Sequence, residues 1–158
     1  MDKTKVKGLD NSNADNKITG RTDSTETDAI FHISFTGNVS NVYTMYQMFY
    51  SADSFNGDIS DWDVSSVINM RDMFAYAISF NQDISSWNVS NVYTTYQMFY
   101  SADSFNGDIS DWDISSVTSM NYMFNGANDL SDDNKCAIHT SFSSNENWPY
   151  DWEEYCSD

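Results

Sequence analysis

Apolar residues return every 25 positions along most of this chain of 158 residues. Three complete units begin at Phe55, Phe80 and Phe105, and a partial unit precedes them at residues 38–54. The units keep their apolar identity without insertions, in columns such as Ile59, Ile84 and Ile109; Trp62, Trp87 and Trp112; Val64, Val89 and Ile114; and Phe74, Phe99 and Phe124. A unit this short cannot bury its own apolar face, so the pattern predicts stacked coils in which like residues contact like residues.

A second, stronger repeat lies over the first one. Residues 41–63 return at residues 91–113 with a single change, Thr95 in place of Met45. This near-identity indicates recent copying of a block of two units, laid over an older 25-residue design.

Two segments of each unit show different periodicities. The segment "DISDWDV" alternates apolar and polar positions, imperfectly but in the manner of a short strand. The segment "SSVINMRDMFAYA" spaces its apolar residues three and four apart, which predicts a helical turn or short helix. The predicted fold class is therefore an α/β repeat solenoid, a right-handed leucine-rich-repeat-like coil with a parallel β-sheet on one face and short helical segments on the other.

Three regions follow from this pattern. Residues 30–129 are expected to form a solenoid of about four repeats. Residues 1–29 are polar and weakly patterned, and are expected to be a mobile or N-terminal capping segment. Residues 130–158 are expected to cover the last coil as a C-terminal cap, because an open end would expose apolar columns and unpaired backbone.

The charge of the chain limits its partners. The 24 acidic residues against 7 basic ones give a formal net charge of -17. Nucleic acids and anionic membrane surfaces are bound through Lys and Arg, so neither is an expected partner. No stretch approaches the roughly 20 apolar residues of a membrane span, and the N-terminus has no signal-peptide pattern. If the protein is exported, its leader is expected to be missing from this chain.

Cys136 and Cys156 are the only cysteines in the sequence. They could close one disulfide, which would stabilise a terminal cap by roughly 3 kcal/mol. The alternative is a pair of unpaired thiols in a cytosolic protein.

The repeat also resembles a known family. The pattern F-N-x-D-I-S-x-W-D-V-S-x-V-x-x-M-x-x-M-F-x-x-A is similar to the 25-residue repeat of BspA-like leucine-rich-repeat surface proteins, including the mycoplasma-type lipoprotein repeats of unassigned function, over residues 38–129. The resemblance implies a secreted or surface protein that binds or adheres, with no assigned activity. Tyr46 and Tyr96 replace the usual small polar residue, and residues 22–37 do not follow the repeat.

Aspartates form two further columns of the repeat. The first contains Asp58, Asp83 and Asp108, and the second contains Asp63 and Asp113 with Asn88 between them. Stacked carboxylates repel one another, so calcium could bridge them as an oxygen-ligated cation. Alternatively, each Asp side chain caps a turn by accepting a hydrogen bond from the backbone.

Tyrosines form the second candidate site. Six of them lie in alternate units: Tyr43, Tyr46, Tyr50, Tyr93, Tyr96 and Tyr100. They are distinct from the core columns, so they could form an outward aromatic stripe that contacts a ligand. They could equally be half-buried packing carried over by the duplication.

Catalysis is not indicated by the residues. One column of the repeat contains serines, but no general base lies along it: Ser40, Ser65, Ser90 and Ser115. His32 and His139 lie outside the repeats, and neither has enough further His or Cys residues at metal-ligand spacing to bind zinc. We therefore expect a non-enzymatic extracellular or cell-surface module that recognises a protein or glycan partner through its repeat surface. The alternative is a structural or spacer protein whose acidic ladders hold calcium, the one cofactor considered.

Overall fold

The computed structural model of the protein describes residues 39–156. Within it, residues 39–54, 55–79, 80–104 and 105–129 form four successive coils, each hydrogen-bonded to the next at a spacing of about one repeat. Residues 130–156 follow the last coil and contain α1 (Asp132–Phe142) and a short 3₁₀-helix (Glu153–Tyr155). The predicted N-terminal segment 1–29 and the start of the predicted solenoid lie outside the described residues.

The prediction of an α/β solenoid with a parallel β-sheet is wrong. Residues 39–156 contain no strand, and neighbouring coils are joined by isolated parallel bridges, which link Thr44 to Asn69, Asn69 to Thr94 and Thr94 to Ser119. Their one α-helix, α1, lies after the repeats rather than within them. The coils consist of turns, so they lack the strand and helix of a leucine-rich repeat.

Hydrogen bonding between coils explains why no helix forms in the repeats. In residues 43–51, the N–H of Gln47 donates to the carbonyl oxygen of Arg71 in the next coil at 3.1 Å. The N–H of Tyr50 instead donates to the carbonyl of Gln47, within its own coil, at 3.3 Å. An α-helix needs successive N–H groups to donate to the fourth residue before them, and here alternate donors are committed to the neighbouring coil. We call residues 43–51, 68–76, 93–101 and 118–126 the linked-turn segments.

Consecutive turns also explain the spacing that predicted a helix. Backbone bonds over three residues join Val67 to Val64, Met73 to Met70 and Ala77 to Phe74. The apolar residues therefore recur at the period of turns closed over three residues. The predicted strand at residues 58–64 contains a turn as well, because the N–H of Trp62 donates to the carbonyl of Ile59 at 3.1 Å.

The turns require an unusual backbone conformation at two positions in each linked-turn segment. The residues with positive φ among those described are Gln47, Ser51, Asp72, Tyr76, Gln97, Ser101, Tyr122 and Gly126. Left-handed geometry costs a residue other than glycine about 1–2 kcal/mol. Gly126 fits its position for a second reason: a Cβ there would lie 2.9 Å from the Ser101 hydroxyl oxygen. Bonds between the coils must offset this strain.

Stacked aromatic rings fill the core of the repeats. Phe49, Phe74 and Phe99 lie in one column, with ring centroids 5.4 and 5.7 Å apart. A second column, of Phe55, Phe80 and Phe105, packs against the first, and each of its rings lies 3.9 Å from a ring of the first column in the preceding coil. These rings are buried, as are the other apolar columns of the repeat apart from Val42, Ala52 and Trp62, which are partly buried.

The tryptophans form a third column. The rings of Trp62 and Trp87 are 6.5 Å apart and nearly parallel, and those of Trp87 and Trp112 are 6.4 Å apart. The indole N–H of Trp87 donates to the carbonyl of Ile59 in the preceding coil at 3.2 Å, so the ring joins two coils by packing and by a hydrogen bond.

Asparagines add a polar ladder that the sequence reasoning did not single out. The Asn56 side chain accepts a hydrogen bond from the N–H of Asn81, and the Asn81 side chain accepts one from Asn106, both at 2.9 Å. Asn106 in turn accepts from the N–H of Ser131 at 2.9 Å, which extends the ladder to the residue before α1.

Residues 130–156 lie against the last coil. α1 begins after Ser131, whose side chain accepts a hydrogen bond from the N–H of Asn134, and it buries Ile138 and Phe142. Trp148 and Trp152 contact Phe124 of the last coil, with ring centroids 6.3 and 5.4 Å away, so this segment covers the coil as predicted.

Tyr150 takes the place of the coil that would come next. In earlier coils the N–H of the column phenylalanine donates to a carbonyl of the following coil, as Phe99 does to Met123. The N–H of Phe124 donates instead to the hydroxyl oxygen of Tyr150 at 2.9 Å, and that hydroxyl lies 3.0 Å from Oδ1 of Asn125, to which it donates. Burial raises the pKa of Tyr150 to about 12, against a smaller opposing effect of the Phe124 bond.

The predicted disulfide is confirmed. Cys136 on α1 is bonded to Cys156, which directly follows the 3₁₀-helix. The bond spans 20 positions of the sequence, and loop closure of this size stabilises a fold by about 3 kcal/mol.

The duplicated copy contains a buried hydroxyl that predicts a stabilising substitution. Thr95 is 1% exposed, and its hydroxyl has no hydrogen-bond partner in the described part of the chain. Thr95→Val keeps the shape and removes the unpaired group, so the free energy of unfolding should rise by about 1 kcal/mol. Thr94→Val is the matched control, because the Thr94 hydroxyl accepts from Tyr96 and donates to Ser119. That variant should lose about 1 kcal/mol in denaturant unfolding. Equal effects of the two variants would contradict the assignment.

The Tyr150 hydroxyl predicts a pH-dependent loss of stability. Tyr150→Phe leaves the N–H of the buried Phe124 without its acceptor, so at neutral pH it should lower the free energy of unfolding by about 1–3 kcal/mol. Because the folded-state pKa is raised, the contribution of Tyr150 is fully present below the pKa of an unfolded tyrosine and is lost as pH rises from about 10 through about 12. The difference between wild type and variant should therefore narrow over that range. Tyr155→Phe, also in the cap, is the control, and a difference independent of pH would contradict the prediction.

Candidate functional site

Tyrosines cover one side of the coils. Of the six tyrosines predicted as a stripe, Tyr43, Tyr46, Tyr50 and Tyr93 are exposed, with Tyr43 at 69%, while Tyr96 and Tyr100 are partly buried. Their neighbours Met45, Met48 and Phe49 point into the core and are buried. We call the outward side chains of the linked-turn segments the tyrosine face.

The rings of the tyrosine face contact one another across coils. Tyr50 and Tyr76 meet edge to face with centroids 5.5 Å apart, and Tyr76 and Tyr100 do so at 5.4 Å. A third pair joins Tyr96 and Tyr122 at 6.0 Å. These contacts join the rings into two groups, one of Tyr50, Tyr76 and Tyr100 and one of Tyr96 and Tyr122.

Tyr76 and Tyr122 are members of this face that the sequence reasoning missed. A comparison at a spacing of 25 places Tyr76 opposite Ser51 and Ser101, one position away from the tyrosine column. The positive φ of Tyr76 turns its side chain beside Tyr50 and Tyr100. A search for aromatic residues 24 and 26 positions apart would have found it.

A cation lies at the centre of the tyrosine face. Arg71 and Lys135 are the only Lys or Arg residues among residues 39–156. The Arg71 guanidinium lies 4.7 Å from the ring centroid of Tyr96, a cation–π arrangement. Its Nε is 3.3 Å from Oδ2 of Asp72, and the Gln47 amide donates to the same oxygen at 3.4 Å.

Asp72 is a buried carboxylate with unused acceptor capacity. The residue is 5% exposed, and Oδ1 is buried without a hydrogen-bond partner in the described part of the chain. Buried acceptors are normally paired, so this oxygen is an exception among the described residues.

The surroundings of Tyr76 favour the neutral form of its phenol. Desolvation, followed by the neighbouring Tyr100, Tyr50 and Asp72, raises the pKa of Tyr76 above its usual value. Neutral rings retain the negative π-face that attracts cations.

Apolar side chains extend the face at one edge. Backbone hydrogen bonds align three of them in adjacent coils. The N–H of Ile68 donates to the carbonyl oxygen of Tyr43, and the N–H of Tyr93 donates to the carbonyl oxygen of Ile68, both at 2.9 Å. All three are exposed. The tyrosine face therefore combines aromatic, aliphatic and cationic groups on one surface.

The aspartate columns lie at turns and accept hydrogen bonds from serine. Oδ1 of Asp58 accepts from the backbone and the hydroxyl of Ser60, at 3.0 and 2.7 Å. Asp83 makes the same pair of bonds to Ser85, and Asp63 makes them to Ser65. Asp108 and Asp113 accept the backbone N–H of Ser110 and Ser115. These are the contacts expected if each Asp side chain caps a turn, the alternative to calcium binding.

The serine bonds change the acidity of four of these groups. The hydroxyl and then the backbone N–H of the serine lower the pKa of Asp63, Asp83 and Asp113. The backbone N–H of Ser60, followed by its hydroxyl, lowers the pKa of Asp58. Each carboxylate is stabilised in its charged form because the donors favour the anion.

The calcium hypothesis stays a prediction. No group of three or more Asp, Glu, His or Cys side chains suited to hold a metal ion occurs among residues 39–156. A cleft of about 430 Å³ on the acidic side is lined by Asp83, Asp108 and Asp111 together with asparagine, glutamine, serine and glycine. One carboxylate oxygen of each of Asp83 and Asp108, Oδ1, accepts hydrogen bonds from serine.

Comparison with known proteins places the chain in a family. Residues 24–136 match the family model described as "Mycoplasma protein of unknown function, DUF285". The match covers most of the chain, so the protein belongs to this family, which is compatible with the mycoplasma-type repeat noted in the sequence. Comparisons with curated proteins and with solved structures found no match.

Neither helix of residues 39–156 has the length and apolar character that a membrane crossing requires.

The aspartate turns predict different effects of two substitutions at one position. Asp63→Ala removes the acceptor for Ser65 and should lower the thermal stability at neutral pH. Asp63→Asn should keep most of it, because Asn88 in the equivalent position accepts the same two bonds from Ser90. The folded-state pKa of Asp63 is lowered, so its charge contributes stability above the unfolded pKa of about 3.9 that is lost as pH falls below it. Melting curves from pH 7 to pH 2 test this, and equal stability of the two variants at pH 7 would contradict the capping role.

Proposed function

We propose that the protein is a non-enzymatic binding or adhesion module that recognises a protein or glycan partner through the tyrosine face. The observation that carries this proposal is the set of exposed and half-buried tyrosines that spans three coils, with Tyr43 and Tyr93 exposed at one edge and the contacts among Tyr50, Tyr76 and Tyr100 farther along. Single exposed aromatic residues are common on proteins, but contiguous exposed patches typically mark interaction sites.

The chemistry of tyrosine supports binding. Each ring offers a large rigid surface with few rotatable bonds, and its hydroxyl offers a hydrogen bond at the edge. Tyr43 and Tyr93 present such rings at 69% and 45% exposure. Both protein side chains and the apolar faces of sugar rings can pack on surfaces of this kind.

The face is held in place before any partner arrives. Gln47 and Ser51 are fixed by backbone bonds to Arg71 and Ala75 of the next coil, and Phe49 between them is packed into the core. Edge-to-face contacts then restrict the rings on the surface. Preorganisation of this kind reduces the entropy lost on binding.

The aspartates support a non-enzymatic role. Paired acid and base catalysis needs two carboxyl groups whose environments push their pKa values apart. Asp58, Asp63, Asp83 and Asp113 instead have lowered pKa values for one shared reason, the serine that follows each of them.

The disulfide favours an extracellular or cell-surface location. Disulfides persist in oxidising compartments and are rare in reducing ones. The bond between Cys136 and Cys156 closes residues 136–156 against the last coil, which would suit a protein exposed outside the cell.

Removal of two exposed rings should weaken partner binding. Tyr43→Ser combined with Tyr93→Ser removes contact area without touching the core, so Kd for a ligand captured on an array of glycans and matrix proteins should rise about tenfold or more. The matched control carries Asp61→Ser and Asp111→Ser, two exposed positions outside the tyrosine face, and should bind as wild type does. Surface plasmon resonance gives the Kd values, and thermal melting verifies that both variants are folded. Unchanged capture by the tyrosine variant would refute the proposal.

A further inference from the structure

We infer that the tyrosine face recognises a cationic partner, namely an arginine- or lysine-rich segment of another protein. This inference rests on the proposed function, because it names the chemistry of the partner at the same face. The structure itself contains one example of the contact. Arg71 of the chain lies over the Tyr96 ring at 4.7 Å while its Nε is 3.3 Å from Oδ2 of Asp72.

The Arg71 contact shows what the face offers to a guanidinium group. A neutral ring supplies the π-face, and a carboxylate beside it supplies the charge. The face carries more aromatic rings than the one that Arg71 contacts. Tyr50, Tyr76 and Tyr100 contact one another in successive coils, and Tyr50 and Tyr76 are exposed while Tyr100 is half-buried.

Charge complementarity favours the same partner. The chain has a formal net charge of -17, and among residues 39–156 only Arg71 and Lys135 are Lys or Arg. Such a field accelerates the approach of basic segments and opposes acidic ones. A neutral surface of the same shape would not discriminate between them.

Two readings of Arg71 lead to opposite expectations. If Arg71 imitates the ligand, it occupies a ring and an oxygen that a partner could use, and its removal should strengthen the binding of a basic segment. If Arg71 is an anchor for an anionic partner, its removal should abolish binding. The acidity of the rest of the chain favours the first reading.

The test uses the full chain and three probes at about 0.15 M salt, where charges farther apart than roughly 8 Å are largely screened. The probes are a fluorescent peptide of six Arg-Gly pairs, the same peptide with Glu in place of Arg, and a neutral glucose hexasaccharide. Fluorescence anisotropy measures binding of the two peptides, and calorimetry measures binding of the sugar. The arginine peptide should bind, and the glutamate peptide should not.

Ring variants separate aromatic recognition from general attraction by charge. Tyr50→Leu with Tyr100→Leu removes two π-faces and should weaken binding of the arginine peptide about fivefold or more. Tyr50→Phe with Tyr100→Phe keeps the rings and should bind within about twofold of wild type. Equal affinity of both variants for the arginine peptide would show attraction to the acidic body alone and would overturn the inference.

Arg71→Ala provides the sharpest measurement. This variant should tighten binding of the arginine peptide by about twofold to fivefold more than Lys135→Ala does. The expected factor corresponds to the free energy of one exposed cation–π contact. Lys135→Ala is the matched control, because it also removes one positive charge and one cation–π contact, with Tyr155, but outside the tyrosine face. Arg71→Gln, which keeps a donor for Asp72, is the second variant if Arg71→Ala melts at a lower temperature.

The remaining outcomes distinguish this inference from the proposed function. Loss of arginine-peptide binding in Arg71→Ala and Arg71→Gln, with folding intact, would overturn the cationic partner. A second outcome is that the sugar or the glutamate peptide binds, in a way that depends on Tyr43 and Tyr93, while the arginine peptide does not bind. This outcome would also overturn the cationic partner, but the proposed function would stand. Failure of all three probes, with array capture insensitive to Tyr43 and Tyr93, would remove both.

Discussion

The hydrogen bonds between coils are the interaction on which the rest of the structure depends. Alternate N–H groups of one linked-turn segment donate to the segment that follows, for example from Gln47 to Arg71 and from Asp72 to Tyr96. These bonds hold residues with positive φ in place, bring the aromatic columns into register, and project the intervening side chains outward. The core and the tyrosine face are therefore two sides of one backbone arrangement.

Much of the packing could be predicted from the repeat. The period of 25 residues identified the buried columns, since Phe74, Phe99 and Ile84 recur in step and their burial follows from recurrence. The disulfide between Cys136 and Cys156 could also be predicted, although the sequence alone left two unpaired thiols as an alternative. Recurrence reports which residues are in contact, but it does not report how the backbone between them is bonded.

The prediction of secondary structure was wrong because recurrence does not show how the backbone is hydrogen-bonded. Apolar residues three apart in residues 67–77 fit a helix and fit consecutive turns equally well, and the decisive feature is the destination of each backbone N–H. Non-glycine residues in left-handed geometry, such as Asp72 and Tyr76, give no signal in a sequence. The same geometry hid Tyr76 from the tyrosine column. The position of Arg71 over Tyr96 was equally out of reach, because it depends on the rotamer of one side chain.

Tyr150 has a consequence for how such arrays evolve. Its hydroxyl bonds to Phe124 and Asn125, both in the last winding, so the terminator is insensitive to how many windings precede it. Recombination between near-identical gene segments, such as those encoding residues 41–63 and 91–113, can then lengthen or shorten the array upstream while the terminus stays intact. Length polymorphism, with a proportional change in the area of the outer surface, is the evolutionary freedom that this architecture permits.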